Sequence, residues 1–434
     1  MRQDDSPLHT PAALRAAWAV WLANALQFYD FFLFGTATVL YLGPVFFPDT
    51  EPELVELAAF ASIGAGFLSR PLGAVLLGHL ADRYGRRSVI VSALVLMGIS
   101  TAAMGMLPSY RQAGLWAPIL LIGLRLLQGI AISGGHASSS ALVLELASAE
   151  RRGVYASLVL SGTQIGVIGS SLVFILLSLF MPEQDIRAWG WRIPFWSSLA
   201  LVAVGIWLHY VLPESPRLGP RSVQGGRPPP FRMLWARFRK EVGKVVLAAQ
   251  ISVVSIIFGV YSLSWAVRYT KVTQATMLWL MTVNAMIAVL AIPLWGYLSD
   301  RIGRRSIFLI GAAGCCILVW PYFWSLGAGN APLAFFLGIT LAGVFYSAAN
   351  GVWPSLYGEM FPSPVRVSGV AIGTQIGFTL AAQAPALVAF IAQRTPSDWT
   401  YAALLTSVCC SVSASVIFLT PETYDKTMQE LDTR

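Results

Sequence analysis

GHLADRYGRRS at residues 78–88 returns as GYLSDRIGRRS at residues 296–306, an offset of 218. Each copy closes one apolar run and opens the next. Two further pairs keep the same order. Glu145 stands seven residues before Arg152 as Glu359 stands seven before Arg366, and Pro213-Glu214-Ser215 is answered by Pro421-Glu422-Thr423. Three matched pairs in one order mark the two halves of the chain as related copies of one unit.

Outward from these motifs the chain is a series of apolar stretches, near 18–42, 57–81, 89–108, 116–145, 154–180, 192–212, 244–268, 275–299, 306–328, 332–357, 366–392 and 399–420. Nearly all exceed the roughly 20 residues that cross hydrocarbon. With 56% hydrophobic and 12% charged residues in 434 positions, the chain carries more apolar surface than a soluble core of that length hides. The expected fold is an all-α integral membrane protein, with twelve transmembrane helices in two pseudo-symmetric six-helix halves. Its expected organisation is an amino tail (1–17), a first half (18–212), a linker (213–243), a second half (244–420) and a carboxyl tail (421–434).

Lys and Arg crowd the loops after the even-numbered stretches, which places those loops and both termini in the cytoplasm. The formal charge of +8 fits this asymmetry and calls for no nucleic-acid partner. The amino end, MRQDDSPLHTPAALRAAW, has acidic residues and no cleavage site after its first apolar run, so the first helix is expected to be retained. In the linker, the basic amphipathic stretch from Phe231 to Lys244 suits anionic lipid as well as it suits a solvated connector. The cysteines form adjacent pairs, Cys315–Cys316 and Cys409–Cys410, inside apolar spans. Neighbours on a helix point apart, which suits packing and not chelation, and the four histidines have no metal-site spacing. Neither metal nor cofactor is expected.

A charge inside a bilayer is costly unless it is paired or faces water. Of 21 acidic residues only Asp30 lies well inside a span, and Arg70 and Arg125 are the clear intramembrane cations. At 1.5 Å per residue, Asp30 lies about 18 Å from the start of its helix and Arg125 roughly 13 Å in from the opposite face. Arg70, twelve positions before Asp82, falls at about 18 Å, so all three sit near the midplane of a core about 30 Å thick. The set is cation-rich by one charge, which suits an anionic substrate and an Asp30 that exchanges a proton. An ion-paired set that only ties helices one, two and four together fits as well.

Neutral polar groups reach comparable depth: Tyr29, Gln128, Gln164, Asn284, Tyr346, Asn350 and Gln375. Each can hydrogen-bond a substrate in a central cavity or a neighbouring helix. His136, about 16 Å nearer the cytoplasm than Arg125, is a candidate for a proton relay or an inner gate. Asp82, Arg83, Arg86, Arg87, Glu145 and Arg152, with Asp300, Arg301, Arg304, Arg305, Glu359 and Arg366 in the second half, fall at cytoplasmic helix ends. They are expected to form charge networks that break and reform as the halves rock.

The G-x-L-x-D-R-x-G-R-R motif after helices two and eight resembles the loop motif of the major facilitator superfamily. NALQFYDFFLFG (24–35) with FFP (46–48), FLSRPLGAVLLGHLADRYGRR (67–87), RLLQGIAISGG (125–135) and WGWRIPF (189–195) resemble its metabolite:proton symporter branch. The likeness covers nearly the whole chain and is weakest in the linker and tails. It implies proton-coupled symport of a small organic anion by alternating access across the cytoplasmic (inner) membrane, by a monomer. Citrate and tricarballylate carriers are the most similar, at helix one and around NGVWPSLYGEMFPSPVR (350–366), which implies a di- or tricarboxylate such as citrate. The alternative is a zwitterion such as proline or betaine, with Asp30 facing its cationic end.

Two departures bear on coupling. Members of the branch usually carry Glu where Gln27 stands and often Glu where His136 stands, which leaves Asp30 the leading carrier of a proton and His136 the next. Helix five reads SGTQIGVIGSS, without the Gly-Pro pair typical of drug:proton antiporters. No nucleophile–base or metal constellation for an enzyme is present in the sequence. A membrane sensor derived from a transporter would call for an added signalling region, and the tails are short.

Overall fold

The computed structural model describes residues 11–47, 62, 64–84, 86–146, 152–211, 230–362, 365–395, 397–424 and 430. Among the described residues all regular structure is helical. In the first half the long helices are α1 (Pro11–Ala37), α2 (Arg70–Tyr84), α3 (Arg86–Met106), α4 (Trp116–Leu146), α5 (Arg152–Phe180) and α6 (Arg192–Tyr210). In the second they are α7 (Arg239–Tyr269), α8 (Gln274–Ile302), α9 (Arg304–Gly327), α10 (Ala331–Gly358), α11 (Ser368–Arg394) and α12 (Thr400–Phe418). Among the described residues ten helices are long and apolar enough to span a bilayer. The first span is bent by 42° between Trp18–Ala37 and Leu40–Phe46, and the second has a shorter apolar part, Gly64–Leu77.

The sequence reading takes the first helix as one run to residue 42; the chain instead passes into a π-helical turn, Thr38–Leu42, just ahead of Pro44. A proline removes one backbone donor, and a wider turn absorbs the mismatch. The fourth helix keeps its full length as one element despite its glycines. Part of the stretch read as linker is helical: Pro230–Arg237 is a short helix and α7 already begins at Arg239. Residues 212–229 and most of both tails lie outside the described residues.

The two halves repeat one packing scheme. α1 lies along α5 as α7 lies along α11, α2 pairs with α4 as α8 pairs with α10, and α3 meets α6 as α9 meets α12. Across the halves, α5 packs on α8 and α2 on α11, contacts that exchange with each other under the repeat. Small residues make these approaches possible, since helices in lipid gain little from apolar burial and depend on close contact. A Cβ on Gly166 of α5 would lie 2.5 Å from the Tyr29 nitrogen of α1, and one on Gly129 of α4 would run into the Gly66 carbonyl oxygen of α2.

The glycine in the second copy of the loop motif has a conformational reason. Gly303 turns the chain between α8 and α9 at φ 108°, a region that disfavours any side chain. The bundle's outer surface carries exposed Phe180, Leu290, Trp324 and Phe336, side chains that only lipid can cover.

Candidate functional site

Between the halves lies a cavity of about 760 Å³, adjoining a second of about 620 Å³ with which it shares Phe32, Gln164, Ser255 and Tyr346. α1, α2, α4 and α5 face α7, α10 and α11 across it. Two of these walls are shaped by helix irregularities. In α7 a 3₁₀ turn, Ala249–Ser252, and a π turn, Ile257–Tyr261, flank Ser252 and Ser255, and in α10 the π turn Ile339–Phe345 ends at Tyr346. Such breaks re-aim side chains that a regular helix would turn elsewhere.

Arg70 is the single charged side chain in either wall among the described residues. It is 5% exposed, and its Nε and Nη2 have no hydrogen-bond partner among the described residues. The guanidinium carbon lies 3.9 Å from the centre of the Phe67 ring and 4.5 Å from that of Phe31. Each ring face returns about 2 kcal/mol or more to a desolvated cation. Burying a charge without a counter-ion costs several kcal/mol, so an anion placed here would be stabilised.

Gln164, Tyr346, Asn350 and Gln375 line the same cavity, and Asn284 lines the adjoining one. Gln375 Oε1 and Asn284 Oδ1 are buried with no hydrogen-bond partner among the described residues, and Asn350 Oδ1 accepts from Trp353 Nε1 at 3.1 Å. The sequence reading misses Thr163, Ser252, Ser255 and Trp353, which complete the polar lining. Serine in an apolar span carries little signal because it can return to its own helix, as Ser255 Oγ does to the Ser252 carbonyl at 2.9 Å. The Trp353–Asn350 pair, three residues apart on a helix, was legible.

Three residues expected around substrate stand elsewhere. Tyr29 shares a hydrogen bond with Ser197 at 2.9 Å, between α1 and the start of α6. Arg125 is buried within the first half, its guanidinium carbon 3.9 Å from the Phe34 ring centre and 5.2 Å from that of Phe31. It donates to Gln128 Oε1, and Gln128 Nε2 donates to Thr101 Oγ1 at 2.7 Å. Thr101 in turn faces the Asp30 carboxylate. Phe31 therefore lies between both guanidinia, while Gln128 belongs to a chain that leads from Arg125 toward Asp30.

Asp30 is fully buried and accepts a 2.6 Å hydrogen bond from Ser198 on Oδ1; Oδ2 has no partner among the described residues. The ion-paired arrangement considered from the sequence is not what forms. Among the described residues no Lys or Arg makes an ion pair with Asp30. The reason is helical geometry: adjacent residues point about 100° apart, so Phe31 takes the direction of the arginines and Asp30 turns toward α6. Gln27 is buried against Gly135 of α4, both amide atoms without a partner among the described residues. The His136 side chain lies outside the described residues.

A charge network stands at the bundle end that carries the second loop motif. Buried Arg304 pairs with Glu359 and, at 3.4 Å, with Asp300. Thr423 donates to Glu359 at 2.6 Å, and Glu422 accepts from the backbone nitrogens of Arg304 and Arg305 at 3.1 Å each. Asp300 also reaches the other half: it accepts from Gly153 N at 3.1 Å and Val154 N at 3.2 Å, in the first turn of α5. Arg366 closes the end of α10, donating to the Gly358 and Phe361 carbonyls.

Arg301 and Arg305 turn away from this network, over Tyr297 at 4.3 Å and Phe418 at 4.7 Å. Glu422 and Thr423 belong to it although they entered the sequence reading only as a repeat. Arg87 is half-buried, and the side chains of Asp82, Arg83, Arg86, Glu145 and Arg152 lie outside the described residues. Away from this network, beside the cavity wall, the halves touch again, where Thr379 Oγ1 of α11 donates to the Phe67 carbonyl of α2 at 2.7 Å.

A carboxylate on a helix N-terminus is worth up to about 2 kcal/mol. Asp300→Asn is therefore expected to shift the balance between conformations by about tenfold and slow transport, while the dissociation constant stays within about threefold. Uptake rates and binding isotherms on one preparation separate the two. Lost affinity at normal turnover contradicts the assignment.

Two pseudo-symmetric helical halves that touch around a central cavity, with a single cation in its wall among the described residues, define a membrane carrier. Comparison with known proteins agrees. The family described as "Sugar (and other) transporter" matches residues 16–218 and "Major Facilitator Superfamily" matches residues 245–432. The shikimate transporter of Escherichia coli is 30% identical over 96% of this chain and 97% of its own length. A proline/betaine transporter of the same species is 31% identical over 88% of this chain and 78% of its own. The xylose transporter XylE of E. coli superposes with a TM-score of 0.77 at 17% identity, over 96% of this chain and all of that one, which bears on the fold alone. The chain belongs to the major facilitator superfamily, in its metabolite:proton symporter branch, and is a multi-pass membrane transporter, not an enzyme.

Proposed function

We propose that this protein couples protons to the symport of a small organic acid that presents a single carboxylate to Arg70. The observation that carries this reading is the lone guanidinium in a wall that, among the described residues, holds no Asp or Glu. A di- or tricarboxylate would bring two or three charges to one cation and leave the excess in a low-dielectric space, so the citrate expectation loses its physical basis. Shikimate, the substrate named for one relative, has one carboxylate and three hydroxyls. Gln164, Asn350, Gln375 and Tyr346 supply the donors and acceptors such a molecule needs, and the Phe rings cover its apolar face.

A second reading has its own support. Phe28, Phe32, Phe378 and Trp353 form an aromatic wall suited to a quaternary ammonium, as in the betaine named for the other relative. Asp30 would not meet that cationic end, because it faces Ser198 and not the cavity.

In this reading the motif-bearing end is cytoplasmic, as the Lys and Arg bias implies, and the Asp300 clasp opens and closes with each cycle. Asp30 carries the proton. Substrate on Arg70 draws the guanidinium from Phe31, the residue next to Asp30, so the two loads communicate through one turn of α1 without touching. The test is uptake into proteoliposomes of labelled shikimate, glycine betaine, proline and citrate, with and without an imposed pH gradient. Gradient-driven accumulation of a monocarboxylate without citrate is expected; citrate accumulation alone would sink the proposal.

A further inference from the structure

Away from the central cavity, a space of about 830 Å³ opens at the bundle end opposite the second loop motif. It lies wholly within the first half, where the bent end of the first span, the α3–α4 connection and the α5–α6 connection meet. Three arginines converge on it, Arg111, Arg187 and Arg192, beside Ser109, Gln112 and Tyr41. Positive residues are sparse in the loops at this end; Arg187 and Arg192 lie five positions apart, and Arg111 joins them from 76 positions earlier, in a separate connection. Their convergence is a tertiary feature that no single loop motif records.

The side chains of Arg187 and Arg192 are held, and the charge is only partly cancelled. Arg192 Nη2 donates to the Leu107 carbonyl at 3.1 Å, with the guanidinium carbon 4.4 Å from the Trp191 ring centre. Gln112 closes a capping box with Ser109, which fixes the turn that presents Arg111. Glu183 pairs with Arg187 and neutralises one of the three; Asp185, in the same short helix, does not line the space. Among the described residues that line the space, with Glu183 counted, two net positive charges remain. The segments that line it carry exposed apolar side chains within a few residues of the lining, and these supply its rim: Met106 at 67%, Leu115 at 69%, Trp116 at 67% and Trp189 at 48%. Tryptophan at this depth marks the headgroup level of a bilayer.

We infer that this space holds the phosphate of an anionic phospholipid from the adjoining leaflet, with Arg111 and Arg192 as its cationic partners and the apolar rim against its acyl chains. A phosphodiester carries one negative charge and offers several acceptors, which suits a pair of guanidinium forks better than a neutral headgroup does. The apolar rim is what selects a lipid over a soluble anion of the same chemistry. The site is independent of Arg70 and of the transport reading.

The test uses the full chain, delipidated in a neutral detergent and titrated with short-chain phosphatidylglycerol, short-chain phosphatidylcholine and inorganic phosphate. Retained molecules are counted by native mass spectrometry. Phosphatidylglycerol is expected to bind at least about tenfold more tightly than phosphatidylcholine, with inorganic phosphate failing to compete at millimolar concentration. Arg111→Gln, at an exposed position, and Arg192→Gln are each expected to weaken phosphatidylglycerol roughly fivefold and leave phosphatidylcholine unchanged. Arg111→Gln keeps the test open if Arg192→Gln fails to fold. An unchanged preference in Arg111→Gln overturns the inference, and so does inorganic phosphate binding as tightly as the lipid.

Discussion

Arg70→Gln is expected to lower substrate affinity by about a hundredfold or more while the protein still folds and inserts. Truncating one partner of a buried charge pair costs roughly 2–5 kcal/mol, and 1.4 kcal/mol is a factor of ten. The cost should fall on the complex and not on the fold, because Arg70 Nε and Nη2 have no protein partner to lose among the described residues. Removing a desolvated cation from between Phe31 and Phe67 should, if anything, raise the thermal midpoint of the empty carrier. Calorimetry in detergent, with a melting curve on the same sample, reads both quantities. Arg70→Lys should recover only part of the binding, since an ammonium does not offer the bidentate fork.

Arg125→Gln is the contrasting case. Arg125 is absent from the cavity wall, so binding should weaken less than about tenfold, whereas its links to Gln128 and Phe34 predict a loss of stability. Strong loss of affinity in Arg125→Gln with normal affinity in Arg70→Gln would reverse the assignment of the two arginines.

The second large effect is expected at Asp30. Asp30→Asn should abolish accumulation driven by a pH difference and preserve exchange of substrate between equal pools, because exchange never requires the empty carrier to release its proton. Asparagine keeps an acceptor for the Ser198 hydroxyl, so the fold around α6 should survive the change. Both assays belong in liposomes made from one batch of mutant protein. If Asp30→Asn still concentrates substrate on a pH gradient alone, the proton travels by another group, and His136 is the next to change.

Depth along a helix follows from counting residues, and by that count Tyr29, Gln128, Asp30, Arg70 and Arg125 all sit near the midplane. Which way each one points does not follow from counting, because most neighbours on these helices are apolar and the polar face is thinly marked. Only Arg70 of the five lines the cavity. Asp30 and Phe31 differ by one position and face different helices, and that rotation separates the proposed proton site from the proposed substrate site. Citrate followed from likeness along the chain, whereas the number of cations in the cavity is a property of how α2 and α4 turn.

Length, hydropathy and the repeated loop motif were enough, by themselves, to determine a twelve-helix membrane bundle of two related halves. Lipid leaves a backbone no other way to satisfy its polar groups, and the period of the repeat is written in covalent order. The sequence also marked Asp300, Arg304 and Glu359 as charges at helix ends. Only the tertiary structure decided that Asp300 reaches across to α5, that Glu422 and Thr423 from beyond α12 complete the cluster, and that Arg70 and not Arg125 stands in the cavity wall. Those outcomes depend on helix rotation and on contacts between residues 64 to 147 positions apart. Both are set by how small residues let the helices approach, a sum over many packing contacts that no local stretch of sequence contains.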